Sequence, residues 1–447
     1  MASKSKRART VKQRNLAKDF MYWAIAVFII KLIIIGNVHG GAWLGADGEN
    51  YLQGLDALLK DGIFSKESIL NYWPAGYPLF ILLLSVIGKS FVLTTLSVVQ
   101  SLFFSFSIYF FATQLLKTRL KKFAHLTFIL ILFNPTLSLS SIVVGYESLA
   151  ASGTLLVLGI IIKDLVEKND KKLIPNVLIT SGISGFLTFI QPRLIVAGIL
   201  VHLTWIIIRK PWKFASFLIA ISLIVTLFFP ATLIYRNHNA TGQNSVSTNL
   251  GVTMNIGAGD NATGGYIKSG YGVKCNQSGN QSRADQQLVR CVLSWYLNNP
   301  SKALKLFYNK SIYFWSPWNG PEANGTMARN PWLKISPTKN IADSSPDGNK
   351  LIYGGFGKLV SWIWLLGGIA LFIYGFLILW RLNSLERIIG SIAGITVMSS
   401  WLITLISIGD HRFRLPIMGM SLFLQSVGLR TLFKGGKPPM VDGPGLR

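Results

Sequence analysis

The chain has 447 residues, of which 50% are hydrophobic and only 14% charged, and its mean hydropathy is +0.43. A soluble protein of this length needs far more polar surface to cover its core, so that class is excluded. The 44 Lys and Arg against 18 Asp and Glu give a net charge of +26. No folded basic domain is available to bind nucleic acid, so the excess reads as positive-inside anchoring and contact with anionic lipid.

The first segment, "MASKSKRARTVKQRNLAKDF", is basic and polar, and no small-residue cleavage site follows the next apolar run. That run is therefore a retained span and not a signal peptide. Apolar blocks of bilayer length then predict spans at 20–36, 91–116, 123–137, 148–163, 174–190, 194–208, 214–234, 356–380, 388–407 and 415–430. The fold class is thus an all-α polytopic membrane protein with about ten spans. Loops rich in Lys and Arg, such as "LKTRLKK", "KDLVEKNDKK", "RKPWK" and "WRLNSLER", mark the cytoplasmic side and place both termini there.

The block "PAGYPLFILLLSVIG" at 74–88 is short, and a full crossing would put "LKTRLKK" outside. It reads as a helix on or in the outer leaflet, with an eleventh span as the alternative. The segment 235–357 is polar, rich in Gly, Asn, Ser and Pro, and falls outside. Within it Leu288, Val292, Trp295 and Tyr296 recur at helical spacing, and Asn299-Pro300 splits the pattern into two helices. Both cysteines, Cys275 and Cys291, lie in this segment, where an oxidising compartment predicts a disulfide. The expected divisions are a basic N-terminus 1–19, a membrane module 20–234 with outer loops 37–90 and 138–147, an extracytoplasmic cap 235–357, final spans 358–430, and a Gly- and Pro-rich tail 431–447 expected to be disordered.

On this topology the costly polar residues gather on the outer face: Asp47, Glu49, Glu147, Arg193, Arg236, Asp410, Arg412 and Arg414. Transporters hold such residues nearer the bilayer midplane. Arginines suit phosphate, because the planar guanidinium donates two parallel hydrogen bonds and stays charged. A carboxylate beside them is placed to take a proton from an acceptor as the bond to a leaving phosphate breaks. The five histidines (His39, His125, His202, His238, His411) show no metal-ligand spacing, so a divalent cation, left open here, would draw on oxygen ligands.

Several segments carry a family resemblance: Asp47 and Tyr51 followed by "ALLKDGIF" and "YWPAGYPLFILLLSVIG"; "NPTLSLSSIVVGYESLAA" with Glu147; "FLTFIQPRLIVAGIL"; "YRNHNATGQNSVSTNLGVTMNIGAGDNATGGY"; and "DHRFRLPI". In this order, over about 41–428, they resemble the polyprenyl-phosphate-sugar-dependent glycosyltransferases of the GT-C fold, which include the protein O-mannosyltransferases and the aminoarabinose transferase of lipid A. The resemblance implies a sugar moved from a polyprenyl-phosphate carrier to an extracytoplasmic lipid, glycan or protein, in a bacterial plasma membrane with the site facing outward. It implies Asp47 as the base or acceptor-orienting group, Glu147 as its helper or a metal ligand, and Arg236, Arg412 and Arg414 on the carrier phosphate. Departures are also present. The chain has "DGE" where many relatives have adjacent acids, and Gln191-Pro192-Arg193 replaces an Arg-Pro pair. Trp73 stands where some relatives have a basic residue, for which Lys89 is the nearest substitute. One competing reading is a non-enzymatic flippase, which needs a polar path across the bilayer, and the spans offer little beyond Lys31, Gln100 and His202; another is a relative that binds lipid-linked sugar without transferring it, which "DGE" and the shifted arginine allow.

Overall fold

The computed structural model describes residues 2–45, 47–266, 272–317, 355–382 and 384–433. The expected tail at 434–447 and part of the cap lie outside the described residues. Among those described, nine helices are long and apolar enough to cross a membrane. They are Asn15–Gly36, Lys89–Leu116, Glu147–Glu167, Asp170–Ile190, Pro192–Arg209, Trp212–Thr241, Gly355–Trp380, Leu385–Ile406 and His411–Phe433. The span expected at 123–137 is a broken pair, Lys121–Leu132 and Pro135–Ile142, bent by 57°. The break has a local cause. Asn134 accepts a hydrogen bond from the Leu137 amide at 2.8 Å, and Pro135 takes the first helical position, so a new helix starts in a new direction. The protein is an all-α polytopic membrane protein.

In chain order the helices are α1 (Ala2–Gly36), α2 (Gly48–Asp61), α3 (Ile69–Tyr72), α4 (Gly76–Ser85), α5 (Val92–Leu116), α6 (Lys121–Leu132), α7 (Pro135–Leu139), α8 (Glu147–Glu167), α9 (Asp170–Ile190), α10 (Ile195–Arg209), α11 (Trp212–Thr241), α12 (Leu250–Ile256), α13 (Gln281–Asn298), α14 (Pro300–Trp315), α15 (Gly355–Trp380), α16 (Ser384–Ile406) and α17 (Met418–Phe433). The block at 74–88 yields only the ten-residue α4, too short to cross. It packs between α2, α5 and α9. There Gly76 lies directly against the Phe189 carbonyl, where any side chain would collide.

α8 forms the centre of the bundle, against α5 and α9, with α17 beside it. The bundle's outward apolar side chains, such as Ile224 and Phe228, are exposed, as a lipid-facing surface requires. Inside, short hydroxyl contacts join the helices, including Thr127 to Ser426 at 2.6 Å and Ser181 to Ser222 at 2.7 Å. Gly375 and Gly428 let α15 and α17 touch backbone to backbone.

The two ends of the bundle differ. At one end Asp164 of α8 accepts hydrogen bonds from Trp205 and Arg209, both at 3.2 Å, while Arg209 and Lys210 also pair with Asp170. This is the end of the basic loops. At the other end lie the loops before α2 and α8, the helices α2 to α4, and a module built from α12, α13 and α14. Asn299 and Pro300 separate α13 from α14, with Leu288, Val292 and Tyr296 buried. Cys275 and Cys291 are joined in a disulfide beside α13. Lys310 of α14 docks the module on the bundle, donating to the Leu405 and Ser407 carbonyls at 2.9 and 2.7 Å and to the Tyr296 hydroxyl at 2.7 Å.

Candidate active site

Two short parallel strands, β1 (Trp43–Leu44) and β2 (Val143–Val144), are the only sheet among the described residues. Their register pairs Leu44 with Val144. Asp47 and Glu147 each follow three residues later, Asp47 at the start of α2 and Glu147 at the start of α8. Equal offsets from an in-register pair bring the two carboxylates together although a hundred residues of chain separate them. Each sits at a helix N-terminus, where the backbone dipole favours negative charge.

The second loop is pinned from the bundle. Gln100 of α5 donates to the carbonyls of Ser141 and Val143 at 3.3 and 3.1 Å, and the Tyr77 hydroxyl accepts the Gly145 amide at 2.8 Å. The polar Gln100 therefore holds the site loop and forms no part of a path across the membrane. His202 likewise bonds within the bundle, to Gly198 and Thr180. Lys31 is buried with its ammonium 4.1 Å from the Phe104 ring centroid, and it neither reaches the surface nor lines the cavity described below.

Between the two carboxylates lies Arg412, from the 3-10 turn His411–Ile417 that leads into α17. Asp410 caps that turn by accepting the Arg412 amide at 2.8 Å. The guanidinium Nη1 is 2.7 Å from Asp47 Oδ2, and Nε is 3.5 Å from Glu147 Oε1. Asp47 and Glu147 are each 4% exposed and Arg412 3%. Burying ion pairs is a poor way to stabilise a fold, because desolvation offsets most of the attraction. Such a cluster beside a cavity is a candidate for chemistry.

The cavity has a volume of about 830 Å³, within the range of small-molecule sites. Asp47, Tyr51, Tyr146, Arg193 and Arg412 all line it. Phe413 carries both arginines over its ring, Arg193 at 3.9 Å and Arg412 at 5.2 Å from the centroid. Two cations held this close make a place for an anion. Burial pushes the Tyr51 phenol well above its ordinary range, helped by the charges of Asp47 and Glu147, and burial also raises Tyr146. Both remain hydroxyl donors at neutral pH.

Other expected site residues do not reach the cavity. Arg236 donates to the carbonyls of Ile63, Leu70 and Ser65 and to the side chains of Asn71 and Asn237. It fastens the loop ahead of Tyr72 and Trp73, with no donor edge left for phosphate. Arg414 donates to the Trp315 and Ser316 carbonyls, closing the end of α14. Lys89 and Glu49 are exposed and line no part of the cavity. By contrast Arg193, displaced in the sequence by two positions, does reach it. The expectation that Arg236 and Arg414 hold a phosphate is therefore corrected: backbone carbonyls occupy them.

The sequence reading missed several wall residues. Tyr72, Trp73, Tyr146 and Tyr266 all lie within segments it singled out, and that membership was the available signal. Asp285, from the module, had none. Burial raises the Tyr72 phenol, and the carboxylates of Asp285 and Asp47 raise it further. Asp285 accepts the Gly251 amide at 2.7 Å, and burial raises it against the pull of that bond and of the Val252 amide. Among the described residues no group of three or more His, Cys, Asp or Glu is arranged to hold a metal ion. The cation shared by Asp47 and Glu147 is a guanidinium.

Comparison with known proteins adds one structure. No protein-family model matches the chain, and no curated protein matches it. Among solved structures it is similar to the archaeal oligosaccharyltransferase AglB from Archaeoglobus fulgidus, solved with an inhibitory peptide and a dolichol-phosphate. The identity is 12% and the TM-score 0.46, over 93% of this chain and 51% of the other. The chain thus spans about half the length of that neighbour.

Proposed function

We propose that the protein is a membrane glycosyltransferase that moves a sugar from a polyprenyl-phosphate carrier to an acceptor. The observation that carries this reading is the meeting of Asp47, Arg193 and Arg412, from three distant segments, in one cavity at the end of the bundle away from the basic loops, with Glu147 behind Arg412. By the positive-inside rule that end faces outward, the termini lie in the cytoplasm, and 235–357 forms an extracytoplasmic cap.

In the transfer, an acceptor hydroxyl or amine attacks the sugar's anomeric carbon. The bond from that carbon to the phosphate oxygen breaks, and the carrier phosphate leaves with the electron pair. Arg193 and Arg412 hold its charge. Asp47 takes the acceptor's proton, and Glu147 keeps Arg412 in place. The pairing of Asp47 with Arg412 has a consequence. An arriving phosphate competes with Asp47 for the guanidinium and frees the carboxylate to turn toward the acceptor.

The test is release of free polyprenyl phosphate from a radiolabelled polyprenyl-phosphate sugar by the full chain in lipid. Asp47→Asn should lower release by about 10²–10⁴-fold, the usual worth of a general base, with the protein still folded. Normal turnover by that variant removes the assignment. Retention of donor without release by the wild-type chain turns the reading toward a binder.

A further inference from the structure

One half of the cavity is not used by the transfer chemistry. It is bounded by Asp285 of α13, by Tyr266, and by Tyr72 and Trp73 at the end of α3. Rings connect this half to the reacting end. Tyr72 and Trp73 stand 5.6 Å apart, centroid to centroid, and Trp73 and Tyr51 stand 6.2 Å apart, both edge to face. All three rings line the cavity, as do Asp285 and Asp47. Around it are short polar side chains, Ser247, Asn249 and Thr253, and among the described lining residues the only cations are Arg193 and Arg412.

We propose that this half is a saccharide-binding subsite that takes a neutral, polyhydroxylated ring, with Trp73 against the ring's C–H face, Tyr72 edge-on beside it and Asp285 accepting its hydroxyls. A sugar ring has one apolar flank of C–H groups and a rim of hydroxyl donors. Aromatic side chains offer apolar area with a polar tip, and an ionised carboxylate is an acceptor only, strongest toward a hydroxyl donor. Asp285 is held for that task by the Gly251 amide. A ring bearing a carboxylate or phosphate is disfavoured here, because it would meet the Asp285 carboxylate. The inference deepens the transferase reading, since only that reading makes the bound saccharide the acceptor; the binding itself stands apart from it.

The test uses the full chain in lipid nanodiscs and saturation-transfer NMR with methyl β-glucopyranoside, methyl α-mannopyranoside and methyl β-glucuronide as probes. Ring protons of one or both neutral glycosides should receive saturation, and the glucuronide at pH 7 should receive none. Asp285→Asn keeps an oxygen for the Gly251 amide, so it should unfold at the wild-type temperature while the response falls at least 5-fold. Trp73→Ala should do the same, and Trp73→Phe, which keeps an aromatic face, should restore most of the response. No response from either neutral glycoside, an equal response from the glucuronide, or a response unmoved by both variants would overturn the subsite. A chain that binds glycosides but releases no carrier keeps the subsite and loses the transferase. One that releases carrier with no glycoside response does the reverse.

Discussion

Arg193 and Arg412 differ from Arg236 and Arg414 in where their N–H groups go. All four were expected at one site, and all four belong to the same end of the bundle. Arg236 and Arg414 point every bonded group at carbonyls or amides of neighbouring loops. Arg412 faces carboxylates, and Arg193 stacks on Phe413, both in the wall of the cavity. The lesson is that an arginine becomes a ligand site only where the backbone around it is already satisfied. Loops without regular structure have orphan carbonyls, and these claim the nearest guanidinium first.

The contrast yields graded outcomes. Arg412→Lys keeps a positive charge but loses the planar fork between Asp47 and Glu147, so carrier release should fall about 10²–10³-fold. A fall below 10-fold would make Arg412 framework as well. Arg236→Ala strips donors from several buried carbonyls and should destabilise the chain by about 3 kcal/mol. Thermal unfolding would measure it, and at temperatures where the variant is folded the KM for the donor should stay within about 2-fold. A large rise in that KM would return Arg236 to the phosphate. Arg193→Lys should be milder, raising the donor KM about 10-fold, or about 1.4 kcal/mol, with kcat little changed. Movement of kcat alone would shift its role from binding to the reacting bond.

A separate effect, on docking and not on transfer, belongs to Lys310, whose amine fastens the module. Burial pushes its ammonium down to about 7. An undocked lysine holds its proton to about 10.4, so undocking takes up a proton between these values. Docking should therefore tighten as pH rises from about 7 toward 10. Hydrogen exchange of the α13 and α14 amides, corrected for the intrinsic pH dependence, reads this directly. Weaker docking at high pH would mean that the three oxygen acceptors govern, and not burial.

The spans were legible because a bilayer imposes a length and a composition that each helix meets alone: "MYWAIAVFIIKLIIIG" reads as a span with no knowledge of its neighbours. The two helices split at Asn299-Pro300 were legible for the same local reason. Motif order singled out Asp47, Glu147 and Arg412, and the fold brings these three side chains together. What the chain could not disclose was partnership. That Gln100 serves a loop and not a pore, that Arg236 is engaged by carbonyls, and that Asp285 shares a wall with Trp73 all depend on residues more than twenty positions away. Periodicity and local propensity are properties of neighbours in the chain, and so sequence determined the membrane helices. Hydrogen bonds and charge pairs are short-ranged in space and indifferent to chain distance. Only the packed bundle, with β1 and β2 in register, decided which ionised groups meet a cavity and which are buried in framework.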